Sequence, residues 1–467
     1  MVSITDPYTE RVPCYVLAFV SNLVTALETA RKSGAELETV QRFVQKIAPR
    51  NLCCFGAGFS AKKKFKTLDG YIGKIVKQHK LKEQEPYRKH MIMYIDSGGF
   101  QCGMGYVPRH ILGEYTNLYA KFLNEYKDYY DYAFTLDVPP NDVIYKSIGE
   151  VKETNLETIG SLPDKVDKDV ALNKLLLIYH FSSPRIWNIW QDIIKNNVDK
   201  YSTYWSAGGV ARYKAQQKTN CWLYTAPILQ FLWYMKKYQN SDKQLQFHLL
   251  GDFTPLAVVM SKILPLYIRR VHHLNLSITY DATSICVGNL RFRYLNKFDG
   301  EYWHTADVSR EAQNRYNDYF KCTNKEAFLK ELKSFAEELN LGKIDKDTID
   351  DPKKDNFWSE IGHYLVLYQI YQYYKLEQYC YDIAPEIVDM IIAGKEKEAV
   401  YIISDLLMRL NGGKMTSYLK ARQSFVTNTI NFMKSLSTDH VNKTTNYAIS
   451  MLKDPFKFSS GPTQLTW

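Results

Sequence analysis

The feature that most constrains this chain is a repeated pattern. A short apolar run, without polar alternation, stops at a polar or glycine residue, and a stretch with helical spacing follows. Met91–Ile95 stops at Asp96, Tyr132–Leu136 at Asp137, Leu175–Tyr179 at His180, and Tyr201–Ser206 at Ala207-Gly208. Gln244–Leu250 stops at Gly251 and Leu276–Tyr280 at Asp281. Cys14–Val20 and Leu52–Phe55 supply two earlier strand-like runs. Strands that are apolar on both faces belong to parallel sheets covered by helices on either side. So many strand–helix units fit a (β/α)8 TIM-type barrel better than an open sheet, and the polar residues fall where such a barrel carries its active site.

Within this frame the spacing predicts one helix over 22–48, ending near Pro49, and further helices near 108–128, 184–197, 220–239 and 255–267. A lysine-rich stretch near 62–90 reads as a basic surface insertion. After about residue 300 the character changes. Thr323-Asn-Lys-Glu326 has a capping-box pattern and opens a helix closed by Gly342, and another helix is expected over 358–379. The expected division is a barrel over 1–300 and a mostly helical C-terminal region over 301–467. At 467 residues the chain suits one large domain with an appendage.

With 45% hydrophobic and 24% charged residues, the chain can bury a full core. Its eight cysteines show no disulfide-framework spacing, Met1–Pro13 is too polar for a secretory signal, and no apolar run is long enough to cross a bilayer. A cytoplasmic, reducing setting without a membrane partner is the expectation. The net charge of +10 fits a polyanion partner. Lys62, Lys63, Lys64, Arg269, Arg270, Arg291 and Arg293 are the candidate phosphate contacts, although lysine runs are commonly just solvated faces. The 36 tyrosines can stack on bases, or can simply reflect compositional bias.

Asp96, Asp137 and Asp281 are three carboxylates at strand ends. A single such aspartate is often only a helix N-cap. Three on one barrel rim suggest chemistry at a sugar carbon, one carboxylate as nucleophile and one as acid/base. That pairing alone would also suit a glycoside hydrolase. Gly56-x-Gly58-x-x-Ala61 after a strand raises a nucleotide-dependent oxidoreductase, but no acidic residue stands at a clean strand end about twenty residues on.

The run Asp96-Ser97-Gly98-Gly99-Phe100-Gln101 resembles the signature of the tRNA-guanine transglycosylases. In order along the chain, Phe134-Thr-Leu-Asp137, Ala207-Gly208-Gly209-Val210-Ala211, Phe247-His-Leu-Leu-Gly251 and Tyr280-Asp281 are similar to further segments of that family. The resemblance implies a (β/α)8 barrel that exchanges guanine for a 7-deazaguanine base. It implies that Asp281 attacks C1′ and that Asp96 acts as general acid and base. It further implies that Ser97, Gly98, Gly99, Gln101, Asp137, His180, Gly208, Gly209, Val210 and Leu250 hold the base. No organic cofactor is implied. The family's zinc motif is incomplete here. Cys322 and His363, with Cys380, are the only comparable residues in that region, so no structural zinc is expected. The Pro-Thr-Arg that follows the nucleophile in the family is replaced by Ala282-Thr-Ser. Loss of these tRNA-associated parts points to the similar 7-deazaguanine DNA transglycosylases of bacteriophages and bacterial DNA-modification clusters. The expected partner is then double-stranded DNA, with base flipping, in the host cytoplasm if the source is viral. A tRNA-acting enzyme and a non-catalytic subunit of one are the alternatives.

Overall fold

Eight parallel strands close into a barrel. The computed structural model describes residues 11–18, 20–59, 68–140, 144–181, 183–208, 225–251, 255–282, 294–307, 325–345, 360–410, 413, 429 and 431–450. The strands are β1 (Tyr15–Ala18), β2 (Arg50–Cys54), β3 (Ile92–Asp96), β4 (Tyr132–Phe134), β5 (Leu175–Tyr179), β6 (Tyr204–Ala207), β7 (Gln244–Leu249) and β8 (Asn275–Ala282). Pairing of β1 with β8 closes the ring and sets Val16 opposite Asp281. Pairing of β2 with β3 sets Cys54 opposite Asp96. Helices return the chain between successive strands, so every strand end named above opens on one rim.

Two apolar clusters reflect the period of the strands. Val16, Leu52, Ile92, Tyr94, Phe134, Leu176 and Ile178 fill the barrel interior. Their sequence neighbours, such as Leu17, Cys53, Met93, Ile95 and Leu177, face the helical layer and join the larger cluster. This is why the runs are continuously apolar: one parity fills the barrel and the other holds the helices.

Three elements differ from the sequence expectation. The single helix expected over 22–48 is two helices, Val20–Lys32 and Leu37–Ile47, separated at Gly34 with φ +101°. A left-handed glycine of this kind ends a helix. The helix expected over 358–379 runs from Glu360 to Ile392 and carries Pro385 within it. Its N-terminal part is buried all round, with Ile361, Tyr364, Val366, Leu367 and Ile370 all in the core, and it packs against the helices Val20–Lys32 and Pro255–His272 of the barrel. Finally, an antiparallel hairpin, β9 (Tyr294–Phe298) and β10 (Trp303–Asp307), precedes the C-terminal helices. Its turn is built on Asp299, whose Oδ1 accepts the N–H groups of Glu301 at 2.9 Å and Tyr302 at 2.6 Å. Gly300 follows with φ +106°. No helix among the described residues is long and apolar enough to cross a membrane.

Candidate active site

The rim at the C-terminal ends of the strands gathers the three aspartates. Asp96 is the last residue of β3 and Asp281 the penultimate residue of β8, while Asp137 lies just past β4. Each has a partner from a neighbouring strand. Asp281, 8% exposed, accepts at Oδ1 from His248 Nε2 at 3.2 Å and from the Gly251 N–H at 2.7 Å. Its Oδ2 makes no hydrogen bond to a described residue. Asp137 Oδ2 accepts from His180 Nε2 at 2.5 Å, and both side chains are buried. Asp96 faces the thiol of Cys54 across the β2–β3 ladder and accepts the Gly98 N–H at 3.3 Å.

Hydrogen bonding decides the tautomer of His248. Asp281 can only accept when ionised, so Nε2 carries the proton. In the neutral ring Nδ1 then accepts, and Thr279 Oγ1 lies 2.8 Å away as its donor. Gln246 Nε2 approaches the same hydroxyl at 3.4 Å and donates to the Tyr94 hydroxyl at 2.9 Å. Asp281 is therefore oriented through the barrel interior and not by the rim alone.

The carboxylates are not equivalent. Burial pushes Asp96 up from the ordinary aspartate value to about 6, and the negative charges of Asp137 and Asp281 push the same way. The Cys54 thiol and the Gly98 N–H pull it partly back. A carboxyl held near 6 exchanges protons readily at neutral pH.

Glycines make room for this arrangement. A Cβ on Gly99 would lie 2.3 Å from Asp137 Oδ1 and 2.4 Å from the Asp137 carbonyl oxygen. A Cβ on Gly208 would lie 2.7 Å from His180 Nε2. Gly98, at φ +86°, packs its Cα against Gly56, where an added Cβ would come within 2.6 Å. The first glycine of the dinucleotide-like pattern at 56–61 thus serves close packing against the Asp96 loop.

Other predicted residues fall nearby. Ser97 is fully buried and its hydroxyl has no partner among the described residues. Gln101 Oε1 lies 3.9 Å from Cys54 Sγ, and Leu250 packs on the interior cluster just past β7. The Nδ1 of buried His180 also has no partner among the described residues. Gly209, Val210, Lys62, Lys63, Lys64, Arg291, Arg293 and Cys322 lie outside the described residues.

Some predicted residues do not converge on the rim. Arg269 and Arg270 end the helix Pro255–His272, where Arg269 bonds Asn275, the first residue of β8, and Arg270 pairs with Asp389. Asn275 and Asp281 are six residue steps apart along the strand, about 20 Å. The two arginines therefore sit at the opposite end of the barrel. His363 bonds Thr29 Oγ1 at 2.7 Å, and it lies about 25 Å along the same helix from Cys380, too far to share an ion. Among the described residues no group of three or more His, Cys, Asp or Glu is placed to hold a metal.

Sequence reading passed over His248, Cys54, Asn155 and Phe100. His248 shares strand parity with Gln246 and Leu250, which is the signal that aims it into the barrel. Asn155 clamps the loop after Asp137, accepting the Val138 N–H at 2.8 Å and donating to its carbonyl at 3.0 Å. Phe100, four residues after Asp96, leaves 60% of its surface exposed. Compared with known families and with curated proteins, the chain matches no family model and no curated sequence.

Proposed function

We propose that this chain is a base-exchange glycosyltransferase. It removes guanine from DNA and inserts a 7-deazaguanine through a covalent aspartyl-glycosyl intermediate. The observation that carries the reading is the division of labour among the three aspartates. One is clamped at one oxygen, with the other meeting no donor among the described residues, one is held near neutrality, and one is paired with a histidine.

Asp281 Oδ2 attacks C1′ as the bond from C1′ to the guanine nitrogen breaks, while His248 and Gly251 hold Oδ1. Asp96 in its protonated form gives the leaving base its proton, then takes one from the incoming base as that base displaces Asp281 from C1′. Asp137, fixed by His180, accepts hydrogen bonds from the donor edge of guanine. The bonds broken and made are alike, so the chain's own residues suffice for the exchange. Reaching C1′ in a duplex requires the nucleotide to leave the stack, which costs a few kcal/mol. The choice of DNA over tRNA rests on the sequence after Asp281, where the tRNA-associated segment is replaced.

Incubating the protein with labelled guanine and either duplex DNA or tRNA tests both parts. Label entering DNA, and lost with Asp281→Asn, is the expected result. Label entering only tRNA would reassign the polymer. Label entering neither, under conditions where the protein is folded, would overturn the exchange reading.

A further inference from the structure

The end of the barrel remote from Asp96 and Asp281 holds a cavity of about 430 Å³ among the N-terminal ends of the strands. Its distinctive feature is Arg50, the first residue of β2, which lines the cavity and is only 2% exposed. Arg50 Nε donates to the Pro13 carbonyl at 2.9 Å and Nη1 to the Tyr94 hydroxyl at 3.0 Å. A guanidinium carries five N–H donors. The others meet no acceptor among the described residues, and Arg50 forms no ion pair with a described carboxylate.

A buried charge is costly unless something opposite compensates it. Two carboxylates, Asp131 and Asp169, line the cavity, and each has a partner of its own. Asp131 accepts the Met93 N–H at 2.8 Å and pairs with Arg88 at 3.1 Å. Asp169 is exposed and accepts from Asn173 at 2.7 Å. Lys243 adds a further positive charge at the rim. Tyr132 and Tyr204 line the cavity too, their rings edge to face with centroids 5.0 Å apart.

We propose that this cavity is a binding site for a small organic anion whose carboxylate or phosphate group pairs with Arg50. The planar guanidinium matches both oxyanions in a two-pronged fashion. The tyrosine rings offer apolar surface for the rest of the molecule. The volume exceeds what a bare ion fills and lies in the range of about 300–1,000 Å³ typical of small-molecule sites. The site is separate from the rim where the aspartates converge, so its occupancy does not depend on the exchange reading.

Titration calorimetry on the full chain with 4-bromobenzoate and phenyl phosphate tests this, together with a crystal soaked in 4-bromobenzoate. At least one probe is expected to bind with a Kd of about 1 mM or tighter. Which probe binds separates a carboxylate ligand from a phosphate one. Arg50→Gln is expected to weaken binding by about tenfold or more. Failure of both probes to bind the wild-type chain would overturn the proposal, as would unchanged binding by a folded Arg50→Gln variant. Should that variant not fold, a soak decides, in 4-bromobenzoate if that probe binds and in 4-bromophenyl phosphate if only the phosphate probe does. A bromine peak in the cavity beside Arg50 supports the site, and a peak elsewhere or none overturns it.

Discussion

His248 Nε2 donates to Asp281 Oδ1 at 3.2 Å, and Thr279 Oγ1 holds the opposite ring nitrogen of His248 at 2.8 Å. The histidine thus occupies Oδ1 of Asp281 and leaves Oδ2 without a donor among the described residues. Asp281→Asn is expected to abolish base exchange and the covalent intermediate together. His248→Ala is expected to lower kcat about 100-fold with little change in KM, because a small misplacement of the attacking atom carries a penalty of that order. Steady-state kinetics check the split. A rise in KM with kcat unchanged would assign His248 to binding.

The pH dependence follows from Asp96. Its folded value, about 6, lies above that of an ordinary aspartate because burial disfavours the charged form, with Asp137 and Asp281 adding to the effect. The folded state therefore holds this proton more tightly than the unfolded chain. Its contribution to stability is greatest below the ordinary value near 3.8 and falls as pH rises through about 6. Asp96→Asn lacks this term. Relative to wild type, the variant is expected to gain stability between pH 4 and 6 and to hold that gain above it, in denaturant titrations across that range. A gap that stays constant with pH would show an unperturbed Asp96. The rate of exchange should carry an inflection near pH 6, absent from the Asn variant's residual rate.

Gly99→Ala addresses the pocket wall. The new Cβ would meet both Oδ1 and the backbone carbonyl of Asp137, and backbone cannot swing aside as a side chain can. A loss of about 1–3 kcal/mol in stability is expected, the usual range for overpacking. The larger effect should fall on guanine affinity, since Asp137 is displaced from His180. Equilibrium binding of free guanine measures it. Unchanged affinity in a folded variant would remove Asp137 from base recognition.

The barrel was legible because each buried strand announces itself twice, once by continuous apolar character and again by the polar residue that ends it. Asp96, Asp137 and Asp281 are visible for the same reason. His248 and Cys54 are not, because they sit within or at the edge of apolar runs, where only strand parity distinguishes an inward side chain from an outward one. Arg269 and Arg270 show the converse failure. A charged pair has no direction until the helix bearing it is placed, and this one ends beside Asn275. The hairpin at 294–307 went unread although Asp299-Gly300 is a hairpin turn signal, since its strands are short and polar. The break at Gly34 was masked by apolar spacing that continues on either side of it.

A buried ion pair joins the helix Glu360–Ile392 to the barrel. Lys262 Nζ lies 3.0 Å from Glu377 Oε2, with both side chains essentially inaccessible. Glu377 also accepts the Cys14 N–H at 2.6 Å and the hydroxyl of Tyr280, the residue preceding Asp281. Removing one partner leaves an uncompensated charge, so Glu377→Leu alone is expected to cost about 3–5 kcal/mol. Lys262→Met combined with Glu377→Leu removes both charges and should recover part of that loss. Recovery stays incomplete, because the Cys14 N–H loses its Glu377 acceptor, at about 1–3 kcal/mol. Chemical denaturation of the two single variants and the double variant measures the coupling. Strictly additive losses would mean that the pair does not interact as the geometry describes. Because Tyr280 shares its strand with Asp281, the Glu377 variant should also lower kcat in proportion greater than its loss of folded protein, whereas a purely remote tether would leave kcat per folded molecule unchanged.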